Sequence, residues 1–294
     1  MSHPLESCHF ADHAWCGEAR VLEHVPLARG THRVRLACPD LARQIVPGQF
    51  VMLRLPGTDD PLLGRPLALY DTVLDDAGTP IGIDVVYLVV GKMTGRLTKV
   101  VAGDALQIWG PLGNGFPARA VEHLMMVAGG IGQTPFAALG REFLGKRSYG
   151  DPTRRGAQAS RVTLCYGARS QEYLAGVEDF QLLGVDVRLA TDDGSAGAKG
   201  FVTAELERLL SEPNAAPVDQ TRIVCCGPEP MMAAVAKIAA ARGIACEVSL
   251  ETPMACGLGI CFSCVARVRD ASGEWDYRRT CVEGPVFDAS TIVF

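Results

Sequence analysis

The chain has 294 residues, room for two domains of about 150 residues with a small third module possible. Apolar residues make up 48% and charged residues 21%, an ordinary globular mix that excludes a disordered tail or a fibrous chain. Lys and Arg number 28 against 33 Asp and Glu, a net charge of −5, so there is no bulk attraction to nucleic acid or anionic lipid and neither is expected as a partner. Gly, Pro or charge interrupts every apolar run before it could span a membrane. Residues 1–16 lack the basic start and apolar stretch of a secretory signal, so the expected location is cytoplasmic. In such a reducing compartment the eleven cysteines serve as packing or ligands rather than as disulfides.

In the first 117 residues, short runs rich in Val, Ile, Leu and aromatics (33–36, 50–55, 83–90 and 105–109) stand between Gly, Pro and Asp, predicting hairpins and an antiparallel barrel. LGRPLALYD puts Arg65 and Pro66 at a strand start, where an Arg could clamp a phosphate; a surface salt bridge is the common alternative. Further on, Tyr87 could stack on a flat ring, Gly91 and Thr94 mark a turn, and residues 110–115 form a Gly- and Pro-rich exit; hairpin chemistry alone also accounts for each.

From about Glu122 apolar strands alternate with helical stretches, which predicts a doubly wound parallel sheet. LMMVAGGIGQTPFAAL sets Gly129, Gly130 and Gly132 between a strand and a helix, with Thr134 able to hydrogen-bond and Pro135 suited to the first helical turn. Glycines let a diphosphate approach the backbone, and a helix start offers N–H groups to it. A second strand-to-helix turn, CCGPEPMM, holds Cys226, Gly227 and Pro228, and both turns could face one nicotinamide nucleotide; Met232 reads as helix core. Arg169 in YGARS could reach a 2′-phosphate, so NAD and NADP both stay open.

After Gly243 the alternation stops. Cys256, Cys261 and Cys264 follow a C-x4-C-x2-C spacing, and Cys281 follows the third after sixteen intervening residues. Gly257 and Gly259 let one loop fold three thiolates around an inorganic centre, the plant-type [2Fe-2S] arrangement; a four-thiolate zinc site is the rival. Packing alone explains the quartet poorly. Glu251, just before it, could belong to a site or be a solvated carboxylate. Cys8, His9, His13 and Cys16 have spacing that suits zinc, but no metal site is expected at a chain terminus. His24, His32 and His123 read as isolated surface or packing residues.

Taken in order, RPLA, VYL, GKMTGRL, GPLGNGF, AGGIGQTP, CGPEPMM, LETPMACGLGICFSC and CVEGPVF resemble the electron-transfer subunits of type B dihydroorotate dehydrogenases, within the ferredoxin-NADP reductase superfamily, over residues 15–290. The resemblance implies an α+β multidomain chain: an N-terminal tail (1–14), an antiparallel β-barrel flavin domain binding FAD (15–118), a doubly wound parallel α/β domain binding NAD (119–245) and a small C-terminal [2Fe-2S] module (246–294). It places Arg65, Pro66, Leu67 and Ala68 on the family's first flavin segment, Val86, Tyr87 and Leu88 on the second, and Met93 with Thr94 on its GT pair. Three positions depart: Ala68 stands for Ser, Leu88 for Arg and Met93 for Gly, weakening the flavin phosphate grip unless Lys92 or Arg96 compensates.

The implied partner is an FMN-containing catalytic subunit, in a heterotetramer of two catalytic and two electron-transfer subunits. That subunit oxidises dihydroorotate to orotate in pyrimidine (UMP) synthesis, and electrons pass by the cluster and FAD to NAD⁺. Nicotinamide takes hydride, a cluster moves single electrons and a flavin does both, so the flavin belongs between them. No residue here reads as a catalytic acid or base. The alternatives are a reductase subunit serving ferredoxin, a hydrogenase or a sulfur reductase, some of which replace one cluster Cys by Asp, and a non-enzymatic iron-sulfur redox sensor.

Overall fold

Six strands close into an antiparallel barrel. They are β1 (Trp15–Ala28), β2 (Thr31–Ala37), β3 (Phe50–Arg54), β4 (Arg65–Leu74), β5 (Pro80–Leu88) and β6 (Ala105–Leu112), hydrogen-bonded in the order β1-β2-β5-β4-β3-β6. The middles of β3 and β5 are buried on both faces, while strands such as β2 and β6 alternate buried apolar with more exposed residues. On β2, for example, Val34 and Leu36 are buried while His32, Arg33 and Arg35 keep some contact with water. Helices α1 (Pro39–Gln44) and α2 (Lys92–Leu97) lie in the connections. This computed structural model describes residues 13–57 and 59–294, so Cys8 and His9 lie outside the described residues.

The second unit is a seven-stranded sheet, β10-β9-β8-β7-β11-β12-β15. Its strands are β7 (Ala120–Gly129), β8 (Gln158–Ala168), β9 (Asp186–Thr191), β10 (Ala198–Lys199), β11 (Thr221–Cys226), β12 (Ala245–Ser249) and β15 (Val286–Asp288), with helices α3 (Phe136–Phe143), α4 (Val177–Leu182), α5 (Val202–Leu210) and α6 (Glu229–Arg242) between them. All neighbours run parallel except β15, which returns antiparallel to β12. The chain winds outward from β7 to β10 and then resumes on the other side of β7 at β11, so the order reverses there. In open α/β sheets ligands bind at such a point. The last residues thus add two strands to this sheet, while β13 (Val265–Arg269) and β14 (Trp275–Arg279) form a separate hairpin. Among the described residues no helix is long and apolar enough to cross a membrane.

Barrel and sheet share one joint. Tyr70 and Val86 leave the barrel core and pack with Phe116, Phe136 and Phe180 of the α/β unit. Asp71 on β4 lies 2.7 Å from the Arg141 guanidinium on α3 and 2.9 Å from Arg147, and accepts the Tyr149 hydroxyl at 2.6 Å. Asp71→Asn keeps the size and removes the charge these groups surround. It is expected to lower the unfolding free energy by about 2 kcal/mol, less than for a sealed pair because both guanidiniums reach water; urea midpoints at constant slope measure it.

His123 on β7 is fully buried rather than at the surface: its Nδ1 accepts from Arg161 at 2.7 Å and its Nε2 pairs with the Thr163 hydroxyl at 2.9 Å. Burial, and then the neighbouring Arg161 charge, push this imidazole down to about 4. An unfolded histidine titrates near 6.5, so between roughly pH 6.5 and 4 the unfolded chain holds the extra proton and stability falls as pH falls. Above that window the contribution is complete. His123→Gln is expected to flatten the loss of unfolding free energy between pH 7 and pH 4.5, a difference of about 3 kcal/mol in full.

Candidate functional site

The cysteine loop folds tightly because its backbone visits the left-handed region three times, at Gly257 (φ +74°), Gly259 (φ +79°) and Phe262 (φ +54°). Glycine takes this conformation without penalty, whereas at Phe262 it is strained, as residues in functional loops often are. The Cys264 and Cys281 sulfurs are 3.2 Å apart, the Cys261 sulfur lies 3.2 Å from the Ser263 hydroxyl, and the Cys256 sulfur accepts the Leu258 N–H at 3.3 Å. Two cysteines for each of two irons is the donor set a [2Fe-2S] centre needs, and tetrahedral metal–sulfur bonds of about 2.3 Å would separate a pair by about 3.8 Å, so this quartet fits the group. The Ser263 hydroxyl and backbone hold the Cys261 thiol down to about 6. Among the described residues no three His, Cys, Asp or Glu side chains gather as a single-ion site.

The loop rests on the outside of the barrel. Trp109 on β6 donates its indole N–H to the Cys256 carbonyl at 2.9 Å, and a Cβ on Gly257 would stand 2.6 Å from Met52 Cγ and 2.9 Å from Leu112 Cδ1. Cys264, Cys281 and Val282 share an apolar cluster with Phe50, Met52 and Leu112. At the other end of the module, Asn114 donates to the Val286 carbonyl at 2.8 Å and accepts from its N–H at 3.2 Å. The strings GPLGNGF and EGPVF therefore touch. Trp109 and Asn114 had no signal of their own in the sequence, because their partners lie 147 and 172 residues away.

β3 is also the ladder neighbour of the first flavin segment: Phe50 opposes Ala68, Val51 opposes Leu67, Met52 opposes Pro66 and Leu53 opposes Arg65. The Arg65 guanidinium donates to the carbonyls of Leu63 and Gly64, both at 3.0 Å, fixing the approach to β4. On β5 the expectation of a Tyr87 ring free to stack on a cofactor is corrected: the ring is buried, stacks on His32 with centroids 5.5 Å apart, and its hydroxyl meets His24 Nε2 at 3.0 Å. Barrel closure brings β1, β2 and β5 together, so His24 and His32 are not isolated either. Val86 is likewise buried, in the joint between the units, and Leu88 is half-buried. Gly91 and Thr94 start the helix α2, where the Thr94 hydroxyl accepts the N–H groups of Val90 and Gly91 at 3.1 Å each. Met93, the larger residue at a glycine position of the family pattern, turns its side chain into the barrel core. Lys92 and Arg96 both pair with Asp60.

The two glycine turns meet at the reversal of strand order. A Cβ on Gly132 would lie 2.3 Å from the Cys226 carbonyl oxygen, and one on Gly227 would lie 2.9 Å from the Gly129 nitrogen, so only glycine allows these backbones to touch. The residues after β7 turn first through a short 3-10 segment, Gly130–Gln133, which lies against β5, and α3 then starts after Pro135. Thr134 is buried in this turn, and Met232 is core as expected. Gln133, which carried no sequence signal, is fully buried with neither amide atom hydrogen-bonded. Burial holds the Cys226 thiol far above its ordinary range, with the Glu251 charge adding to the effect and Ser249 opposing it. Glu251 itself reaches water, yet the protein around it raises its carboxyl. Arg169 is exposed beyond the end of β8.

Residues 251–293 match the family model for the iron-sulfur cluster binding domain of dihydroorotate dehydrogenase B, and residues 126–237 match that for an oxidoreductase NAD-binding domain. A dihydroorotate dehydrogenase B (NAD(+)) electron transfer subunit from Desulforamulus reducens is 33% identical over 279 residues, 94% of this chain and 98% of that one. The subunit of the same name from Caldanaerobacter subterraneus subsp. tengcongensis is 31% identical over 280 residues, 95% of this chain and 99% of its own. Among solved structures, that of an NADH-dependent reduced ferredoxin-NADP oxidoreductase superposes with a TM-score of 0.77 at 27% identity, over 94% of this chain and 89% of that chain. A ferredoxin NADP+ reductase from Neisseria gonorrhoeae, solved with bound FAD and NADP, shares the fold with a TM-score of 0.61 at 16% identity, over 78% and 92% of the two chains. With a barrel, a nucleotide sheet and a cysteine module assembled in this order, and with relatives matched over nearly their full length, the chain belongs to the electron transfer subunits of dihydroorotate dehydrogenase B.

Proposed function

We propose that this chain takes up the electrons released when an FMN-holding catalytic subunit oxidises dihydroorotate to orotate, and delivers them to NAD⁺, in the cytoplasmic synthesis of pyrimidine nucleotides. The observation that carries the reading is the sharing of one strand: β3 bears the cysteine loop on its outer side and is laddered to Arg65, Pro66, Leu67 and Ala68 on β4. Cys256, Cys261, Cys264 and Cys281 would hold a [2Fe-2S] cluster. Residues 65–68, 86–88, Met93 and Thr94 would hold FAD, with Val86, Tyr87 and Met93 acting through backbone and packing because their side chains are buried. Gly129, Gly130, Gly132, Thr134, Pro135, Cys226, Gly227 and Pro228 would take NAD. The working domains are then residues 15–118, 119–245 and 246–294, and the assembly is two catalytic with two electron-transfer subunits.

Bound together, these groups supply the exchange of hydride pairs for single electrons. The residues of this chain bind, orient and shield; none needs to act as acid or base. Gly132 and Gly227 let the two nucleotide turns close on each other, Thr94 caps α2, and Arg65 ties the entry to β4 to its own backbone. The buried Cys226 thiol stays protonated at neutral pH.

A second reading, a subunit that exchanges electrons with ferredoxin, is favoured by the likeness to the NADH-dependent ferredoxin-NADP oxidoreductase. The test separates the two. The anaerobically purified chain should contain two irons and one flavin, reduce an artificial acceptor with NADH, and fail to oxidise dihydroorotate until the catalytic subunit is added. Turnover of dihydroorotate by this chain alone, or of ferredoxin but never of dihydroorotate with the catalytic subunit, would falsify the relay assignment.

Gly257→Ala adds a Cβ against Met52 and Leu112 in a backbone conformation that alanine resists. Its expected result is a several-fold drop in iron per chain, with flavin content and NADH-to-dye activity kept, as read by metal analysis and flavin absorbance.

A further inference from the structure

The hairpin of β13 and β14 has two unlike faces. Directly opposed residues of an antiparallel pair share a face, so Val265 with Arg279, Arg267 with Tyr277, and Arg269 with Trp275 lie together on one side. The other side is taken up by the chain itself: Val268 packs against the buried cluster that holds Ile292 and Ala289. On the first side Trp275 is 48% and Tyr277 56% exposed. They are not loose: the rings meet edge to face with centroids 5.4 Å apart, and the Arg267 guanidinium sits 5.8 Å over Trp275. This face continues into the cysteine loop. Arg279 donates to the Gly259 carbonyl at 3.0 Å and lies 5.3 Å over Phe262, which is 61% exposed near the still more open Ile260.

Charge on this face runs against that of the chain, which carries −5 overall. Arg267 and Arg269 are exposed, and among the described residues no carboxylate lies within ion-pair distance of either. Trp, Tyr and Arg are the residue types that dominate binding energy at protein interfaces, above all when held rigid before contact. Any donor to the cysteine loop must approach where that loop meets water, at Cys261 and its neighbours, and the hairpin face borders that opening.

We propose that Arg267, Arg269, Trp275 and Tyr277 form the surface that docks the FMN-holding catalytic subunit, gripping an acidic, partly apolar face of it beside the cysteine loop. The proposal rests on the relay reading and adds to it the place and the chemistry of the contact.

The experiment measures the dissociation constant between this chain, loaded with its cofactors, and the FMN-loaded catalytic subunit at several salt concentrations. It compares the wild type with Arg267→Glu/Arg269→Glu and with Trp275→Ala. The wild-type complex should weaken as salt rises. The double variant should bind at least about tenfold more weakly and lose most of that salt dependence, and Trp275→Ala should weaken binding at every salt concentration. Iron content, the EPR spectrum of the reduced chain and NADH-to-dye activity should match the wild type in both variants. Arg267→Ala/Arg269→Ala serves as a milder charge removal should the reversal unfold the hairpin, and should bind more weakly by a smaller factor.

Unchanged affinity in folded variants, with a wild-type pair that binds and turns over dihydroorotate, overturns the docking surface and leaves the relay reading standing. A wild-type pair that neither binds nor turns over removes both. Tight binding of a fluorescent single-stranded oligonucleotide that the double variant loses, with subunit affinity unaltered, assigns the face to nucleic acid and also overturns the proposal.

Discussion

Electron exchange between separate centres weakens steeply with distance, so a relay depends on holding its binding segments at fixed, short separations while substrates and partners come and go. In this chain the constraint falls on the contact between the cysteine loop and the barrel. Trp109 fixes the Cys256 carbonyl, Gly257 fits between Met52 and Leu112 where no other residue could, and Asn114 stitches the far end of the module to the barrel exit. The module is therefore part of the barrel's outer layer rather than a bead on a tether. β3, the strand beneath it, is the same strand that positions the residues opposite it on β4.

The nucleotide end is held by different physics. Where strand order reverses between β7 and β11, two loops leave the sheet side by side, and glycines at 129, 132 and 227 allow backbone to touch backbone. The 3-10 segment after β7 also lies against β5, so the turn that would face a nucleotide is referenced to the barrel as well as to its own sheet. Asp71, with two arginines and a tyrosine around it, keeps the two units in one orientation. Together these joints bring all three binding regions into a single body without an added scaffold.

How far this was readable in the sequence follows from how local each signal is. Four cysteines with interleaved glycines, and a glycine turn between a strand and a helix, are short-range patterns that survive without knowledge of the fold. The alternation of barrel runs and the later strand-helix texture likewise gave the two architectures. What sequence reading missed was set by closure at long range. The Tyr87 ring faces inward because β5 is laddered to β2, which brings His32 against it. Met93 looked like an obstacle to a cofactor but lies in the core, since α2 turns it inward. The continuation of the sheet through β12 and β15 was hidden because β15 is three residues long and pairs across the whole cysteine module.

The cysteines show the same division between local and long-range control. Cys38, Cys165 and Cys246 sit in apolar surroundings that raise their thiols to about 12, and Cys225 and Cys226 are pushed higher still, so all five remain protonated and inert at neutral pH. Cys261 and Cys264 are held down to about 6, the first by Ser263 and the second by its neighbour Cys281, which keeps the proton they share. Composition alone cannot sort these two populations, because a buried Cys and a ligand Cys are the same letter. Spacing picks out the four cysteines proposed as ligands, and the fold adds that the five outside that spacing lie in apolar surroundings that keep them protonated. An odd and unusually large number of cysteines is thus compatible with one proposed cluster site.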